Sequence, residues 1–177
     1  MLRSVLTFVL GMALLAACAP PPQQNFGTDG RPLPRVYRIS PNDTATVQFR
    51  MLDSVNVLRR AAGAPAVTFS AELNAAAATH SRDMSVQNRP WHFGSDGSSP
   101  IDRAARVGYA GLILGETISE TYETELEALS AWMAQTDTRA VILDRRATDI
   151  GFAWFQEENG KIWWTLVMGS VPPLPPL

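Results

Sequence analysis

A histidine and a glutamate are the side chains in this sequence best suited to acid–base chemistry. His92 belongs to a loop, because Pro90 and Gly94 interrupt the helical pattern around it. Glu116 follows Gly115 in a second glycine-marked turn and precedes apolar residues. Such a carboxylate is partly buried and needs a partner. We therefore predict that His92 and Glu116 pair, either as an acid–base couple or as a clasp that holds the loop.

The other histidine, His80, belongs to an alanine-rich helix. It shares one face of that helix with apolar residues at helical spacing: Leu73, Ala77 and Met84. This position favours a hydrogen-bonded core histidine over a ligand. A zinc site needs three or four ligands, and the sequence gives no reason for His80, His92 and Glu116 to converge. We therefore predict no metal and no other cofactor.

Nucleophilic catalysis has little support in the sequence. Three serines follow in the same loop: Ser95, Ser98 and Ser99. An activated serine needs an adjacent base. No Gly-x-Ser-x-Gly motif occurs, and Asp96-Gly97 is typical of an ordinary turn. A hydrolase that uses the His92 and Glu116 pair is the alternative to a protein without enzymatic activity.

The N-terminal residues direct the chain out of the cytoplasm. Residues 1–17 have the basic start and short apolar run of a signal peptide. They lead into Leu15-Ala16-Ala17-Cys18, which resembles the lipobox of bacterial lipoproteins. That resemblance implies cleavage before Cys18, diacylglycerol on its sulfur and a membrane anchor. Ala19 in place of aspartate then implies outer-membrane sorting in a cell with two membranes. The alternative is an ordinary signal peptide with a coincidental cysteine.

Composition narrows the class of protein. Cys18 is the only cysteine, so no disulfide and no cysteine-based zinc site can form within the chain. Acidic residues slightly outnumber basic ones, 17 to 15, and no basic stripe occurs, which argues against nucleic acid as a partner. Residues 18–43 are rich in proline, glutamine and glycine and predict a tether. Residues 171–177 predict an extended Pro-rich tail.

Between tether and tail, residues 44–170 predict one domain of mixed helices and strands. Apolar spacing predicts helices over 44–62, 70–87, 101–107, 122–134 and 139–143. Arg59, Arg103 and Arg106 fall on the polar faces of their helices. Residues 109–113 predict a short strand or an extended loop. A β-hairpin over 150–157 and 161–168 is predicted by the Asn159-Gly160 turn between its strands.

The order of several short motifs resembles the CAP superfamily (cysteine-rich secretory, antigen 5 and pathogenesis-related proteins) in its cysteine-poor bacterial form. The similar segments, each weak alone, are Leu73-x-x-Ala76-Ala77-x-x-His80-Ser81-x-Asp83-Met84, His92-Phe93-Gly94, Asp96-Gly97, Arg103, Gly108-Tyr109, Gly115-Glu116-Thr117-Ile118, Trp132-Met133, Arg139-Ala140-x-Ile142-Leu143, Ile150-Gly151, Trp164 and Gly169. The resemblance covers roughly Val47 to Gly169.

The resemblance implies an α+β fold, a three-layer α-β-α sandwich with a central antiparallel sheet. It also implies a cleft that, in the family, collects two histidines and two acidic residues and in some members binds a divalent metal. By position, His92 is the first histidine and Glu116 the first acid. Thr138 stands in place of the second histidine and Gln135 in place of the second acid. Half of the set is replaced by neutral side chains, and a metal is again not expected.

The expected function is therefore binding rather than catalysis. We predict a membrane-tethered, extracytoplasmic domain that holds a small apolar ligand, an envelope component or a protein partner. The cleft residues would be His92, Glu116, Gln135 and Thr138. A structural envelope protein without a ligand is a further alternative, because a fold alone does not decide function.

Overall fold

The computed structural model describes residues 37–120 and 122–171. In chain order its elements are helix α1 (Thr44–Ala61), strand β1 (Thr68–Phe69), helix α2 (Ala71–Gln87), helix α3 (Pro100–Arg106), strand β2 (Leu112–Ser119), helix α4 (Glu125–Ala134), helix α5 (Thr136–Ile142), strand β3 (Asp149–Gln156) and strand β4 (Ile162–Ser170). The signal peptide, Cys18, residues 18–36 of the tether and residues 172–177 of the tail lie outside the described residues.

The sheet has four strands in the order β1-β3-β4-β2. Strands β3 and β4 form the hairpin predicted from Asn159-Gly160, and β2 pairs antiparallel with the other side of β4. Between the first two predicted helices, Thr68 and Phe69 form β1, which pairs in parallel with the start of β3. The three long strands are antiparallel, as expected.

Helices cover both faces of the sheet, because β3 and β4 alternate their side chains between two cores. One core joins α1, α4 and α5 to residues such as Phe152, Trp164 and Leu166. The other core joins α2 and α3 to Ala153 and Val167, the neighbours of those residues along the strands. The α+β, α-β-α sandwich is thereby confirmed.

Helix starts follow their capping residues. The Ser70 hydroxyl accepts from the Leu73 amide at the start of α2. Thr124 and Glu127 form a capping box, so α4 begins at Glu125, three residues later than the apolar pattern suggests. Among the described residues, none of the helices is both long and apolar enough to span a bilayer.

The predicted tether is too long at its C-terminal end. Tyr37 and Ile39 pack against the core, and a 3₁₀ turn over Pro41–Asp43 leads into α1. The Arg38 guanidinium donates to the carbonyls of Glu157 and Glu158 in the hairpin turn. Residues 37–43 therefore belong to the domain, because their aromatic and aliphatic side chains have apolar partners there.

Arg59 does not lie on a solvated helix face, contrary to the prediction. It is fully buried near the end of α1 and donates to the backbone carbonyls of Pro65, Ile142, Asp144 and Ala147. A guanidinium with five N–H donors can satisfy several carbonyls at once, which offsets the cost of its burial.

Candidate functional site

Glu116 lies inside strand β2 rather than in a turn. Gly115 marks an irregularity in the pairing of β2 with β4 and a close contact with helix α5. A Cβ atom on Gly115 would lie 2.6 Å from a methyl carbon of Val141. The glycine is therefore explained by close packing and not by chain reversal.

The Glu116 carboxylate is held by charged and polar groups from three other segments. Its side chain is only 2% exposed. Oε2 accepts from Nη2 of Arg103 at 2.6 Å, and Oε1 lies 2.9 Å from Nδ1 of His92. Nε2 of His80 lies 3.6 Å from the same Oε1. The predicted contact between His92 and Glu116 is confirmed, and its role remains a prediction.

The sequence-based prediction is wrong for Arg103, as it is for Arg59. Arg103 is predicted on the outer face of α3, yet it is buried and forms the ion pair with Glu116. Its Nη1 also donates to the carbonyls of His92 and Ser98, both at 3.0 Å. Arg103 thus fixes the loop that carries His92, residues 88–99 between α2 and α3 and called the histidine loop, at its backbone as well as through Glu116. Its presence among the motif residues of the resemblance was the only signal for this role.

His80 occupies the core position that its helical spacing predicts, and it is fully buried. The predicted hydrogen bond is not observed, since neither ring nitrogen of His80 has a partner in the described structure. Burial lowers the pKa of His80, and the nearby carboxylate of Glu116 acts in the opposite direction with less effect. The imidazole is therefore neutral at neutral pH.

The two histidines and Glu116 do converge, contrary to the expectation from sequence. Even so, among residues 37–120 and 122–171 no group of three or more His, Cys, Asp or Glu is arranged to hold a metal ion. Arg103 gives a physical reason, because its guanidinium already occupies Oε2 of Glu116 and would repel a cation there.

A cleft of about 330 Å³ opens beside His92. Its lining residues are Pro90, Trp91, His92, Ile118, Ser119, Glu120, Tyr122, Ala131, Trp132, Gln135 and Thr138. Three of the four predicted site residues thus share one cleft. Glu116 does not line it and contributes through its contact with His92. Gln135 lies at the junction of α4 and α5, where it is exposed.

The polar side chains of the cleft differ in whether they are free to bind a ligand. The Thr138 hydroxyl donates to the Trp132 carbonyl at 2.5 Å and is therefore occupied. Glu120 forms an ion pair with Lys161 at 2.5 Å. The His92 side chain is 49% exposed, and its Nδ1 faces Glu116, which leaves Nε2 for a ligand. Aromatic rings of the lining supply apolar surface.

A second cavity, of about 300 Å³, is lined by residues of α2, α3 and the loop between them, including Arg103. Its carboxylates are already satisfied. Asp83 accepts from the amide and hydroxyl of Ser95, and Asp96 accepts from Ser98 and Arg106. We assign no function to this cavity.

Comparisons with known proteins agree on the fold. The sequence profile of the cysteine-rich secretory protein family, CAP, matches residues 52–168. A search of curated protein sequences found no match. An outer surface protein of Borrelia burgdorferi is similar in structure, with a TM-score of 0.68 and 13% identity over 73% of this chain and 96% of that one.

Two further structures resemble this one. An extracellular SCP-domain protein of Bacillus anthracis has a TM-score of 0.64 and 20% identity over 74% of this chain and 44% of that one. A cysteine-rich secretory protein of Staphylococcus aureus has a TM-score of 0.64 and 10% identity over 82% and 44% of the two chains. This chain thus matches less than half of each of those longer proteins. Since the family profile spans well over half of the sequence, the protein belongs to the CAP family.

Proposed function

We propose that this protein is an extracytoplasmic, membrane-tethered CAP domain that binds a small ligand in the cleft beside His92 without transforming it. In this proposal residues 1–17 are removed, Cys18 carries the lipid, and the residues before Tyr37 form the tether. The observation that carries the proposal is the burial and ionic pairing of Glu116.

A catalytic acid or base must reach the proton that it transfers. Glu116 cannot do so, because both of its oxygens face protein groups and its side chain is almost fully buried. Its supported role is to orient the His92 ring and hold the loop. The two remaining family positions carry neutral Gln135 and Thr138, so the cleft lacks a second acid or base at either of them.

The remaining features suit a ligand with an apolar body and one polar group. The rings of Trp91, Tyr122 and Trp132 line the cleft, and His92 and Gln135 offer hydrogen bonds at its edge. A volume of about 330 Å³ is at the lower end of the range of small-molecule sites. An apolar component of the cell envelope has this chemistry, and the extracellular settings named for the similar proteins support that location.

The ligand proposal is tested by filling the cleft. Ala131 lines it on α4, whereas Ala134 on the same helix is exposed and outside it. We expect a small molecule to copurify from envelope extracts with the wild type and with Ala134→Phe, and to be lost from Ala131→Phe. Mass spectrometry of extracted ligands measures this. Equal recovery from both variants, or no copurifying molecule in the wild type, would contradict binding in this cleft.

Absence of catalysis is tested on the same molecule. We expect it to remain chemically unchanged during prolonged incubation with the purified protein. Its conversion by the wild type but not by His92→Ala would support the hydrolase alternative instead.

Membrane attachment has a separate test. We expect Cys18→Ser to move the protein from the membrane fraction to the soluble extracytoplasmic fraction. Unchanged fractionation of this variant would contradict acylation at Cys18.

A further inference from the structure

We propose that the exposed aromatic face of the histidine loop docks on the lipid surface and places the mouth of the cleft at the bilayer. This face, called the loop face, consists of Val86, Arg89, Trp91 and Phe93. The inference rests on the proposed membrane tether, and its test is designed to stand apart from that of the tether.

The loop face exposes three large apolar side chains to solvent. Val86, Trp91 and Phe93 are 76%, 42% and 48% exposed. The Trp91 and Phe93 rings contact edge to face at 6.0 Å, and the Arg89 guanidinium lies 3.5 Å from the centre of the Trp91 ring. A tryptophan paired with a basic side chain is suited to the boundary between lipid headgroups and acyl chains, where one end is apolar and the other polar.

The loop face lies at the end of the domain where the described chain begins. The last turn of α2 is joined to the hairpin turn, since Ser85 donates to Glu157 and Lys161 donates to Asn88. Arg38 donates to the carbonyl of Glu157 in that same turn. A lipid on Cys18 would therefore be linked to the domain at the end that carries the loop face.

The tether alone does not impose this orientation. The residues from Cys18 to Tyr37 could span at most about 65 Å when fully extended. Other faces could then reach the membrane, and the exposed aromatic residues are what would select this one.

The charges around the loop face indicate an apolar contact rather than an electrostatic one. Arg82, Arg89 and Lys161 each lie over an aromatic ring. Arg38 contacts the same hairpin turn, and the carboxylates of Glu120, Glu157 and Glu158 at this end nearly balance these four basic side chains. Weak net charge makes an acidic macromolecule a poor fit, and it predicts lipid binding that changes little with salt.

Docking in this orientation would also serve the proposed ligand site. Trp91 belongs both to the loop face and to the lining of the cleft. An apolar ligand could then pass between the bilayer and the cleft with little exposure to water, which is costly for apolar surface.

The test uses residues 18–177 with Cys18→Ser, so that neither the lipid nor the apolar signal peptide contributes. We expect this chain to cosediment with vesicles of zwitterionic phospholipid, nearly equally at low and high salt. Trp91→Ala with Phe93→Ala should weaken the partition coefficient on the order of 10-fold or more, because both side chains would insert at the interface. Thermal unfolding checks that the variants remain folded.

The matched control is Phe49→Ala with Leu112→Ala. Both residues are exposed, and both lie towards the opposite end of the sheet, where Phe49 contacts Phe69 and Leu112 pairs with Ser170. This control should partition like the Cys18→Ser parent. Equal weakening by both pairs, or no vesicle binding by the parent, would overturn the docking proposal. Neither result depends on whether Cys18 is acylated in the cell.

Discussion

The two histidines of the chain lie near the same oxygen of Glu116 but differ in burial and in hydrogen bonding. His92 in the loop is half-exposed and lies within hydrogen-bond distance of Oε1. His80 on α2 is fully buried, lies 0.7 Å farther away at 3.6 Å and makes no hydrogen bond. The same side-chain type near the same carboxylate thus has two roles, one at the cleft and one in the core.

The neutral state of His80 gives Arg103 a physical role beside Glu116. Burial lowers the pKa of His80, so His80 does not balance the charge of Glu116 at neutral pH. A guanidinium stays protonated under these conditions. Arg103 can therefore stabilise the buried carboxylate at a pH where His80 is neutral.

The largest expected effect follows from removing that charge. Arg103→Met should lower the free energy of unfolding by about 3–5 kcal/mol, because it leaves a buried carboxylate without its ionic partner. Urea denaturation measures this. Arg106→Met on the same helix is the control and should have a much smaller effect, since its pair with Asp96 is solvent-exposed. Similar effects of the two variants would contradict the assignment of Arg103 as the main ionic partner of Glu116.

The two histidines should differ in their contributions to stability. His80→Ala should cost about 2–3 kcal/mol, because it opens a cavity in the core. His92→Ala should cost about 1 kcal/mol, the typical value of one hydrogen bond at a half-exposed site. Chemical denaturation at pH 7 measures both. Equal losses would remove the distinction between the core histidine and the cleft histidine.

The lowered pKa of His80 predicts how the stability of the protein depends on pH. The pKa of His80 in the folded protein lies below the ordinary 6.5, so above pH 6.5 it is neutral in both states. Below pH 6.5 the unfolded chain binds a proton that the folded protein does not, and stability falls as pH falls. We expect the free energy of unfolding of the wild type to fall between pH 6.5 and 5, by no more than about 1.4 kcal/mol per pH unit, which is the limit for a single group.

His80→Met should lack most of this loss, because it removes the group whose pKa is lowered. The carboxyl groups whose pKa is lowered, such as Glu72 and Asp83, have ordinary values of 4.5 and 3.8 and act mainly at lower pH. A wild-type stability that does not change between pH 6.5 and 5 would contradict the lowered pKa of His80.

The last prediction concerns the rates at which a reagent modifies the two histidines, which the native fold changes without any mutation. Diethyl pyrocarbonate should modify His92 rapidly in the folded state, because its ring is half-exposed, and His80 only after unfolding. Mass spectrometry of peptides after brief treatment distinguishes the two. Modification of both residues at one rate would mean that the core around His80 opens readily.

Local signals made much of the fold predictable. The Ser70 cap and the apolar spacing that follows it fix α2, and Asn159-Gly160 fixes the hairpin. The contact between His92 and Glu116 was also predictable, because a buried carboxylate needs a partner and few are available. Placing Gln135 and Thr138 at the same cleft required the resemblance to a known family.

Long-range contacts explain what the sequence did not reveal. Arg59 donates to carbonyls as far away as Ala147, 88 residues along the chain, and no local pattern encodes such a bond. Arg103 lies on a helix of seven residues, which is too short for its apolar spacing to identify a face. Gly115 is required by Val141 on a distant helix, which local sequence cannot distinguish from a turn.

The central claim is that Glu116 holds the histidine loop in place. Its most direct test is amide hydrogen exchange over residues 89–98, where Gly94 donates to Ser98 and Ser95 donates to Asp83. In Glu116→Gln we predict exchange of these amides on the order of 10-fold faster than in the wild type, with the strand amides of β3 and β4 unchanged. Glu120→Gln is the control and should leave the loop unaffected. Equal loop exchange in Glu116→Gln and the wild type would contradict the claim.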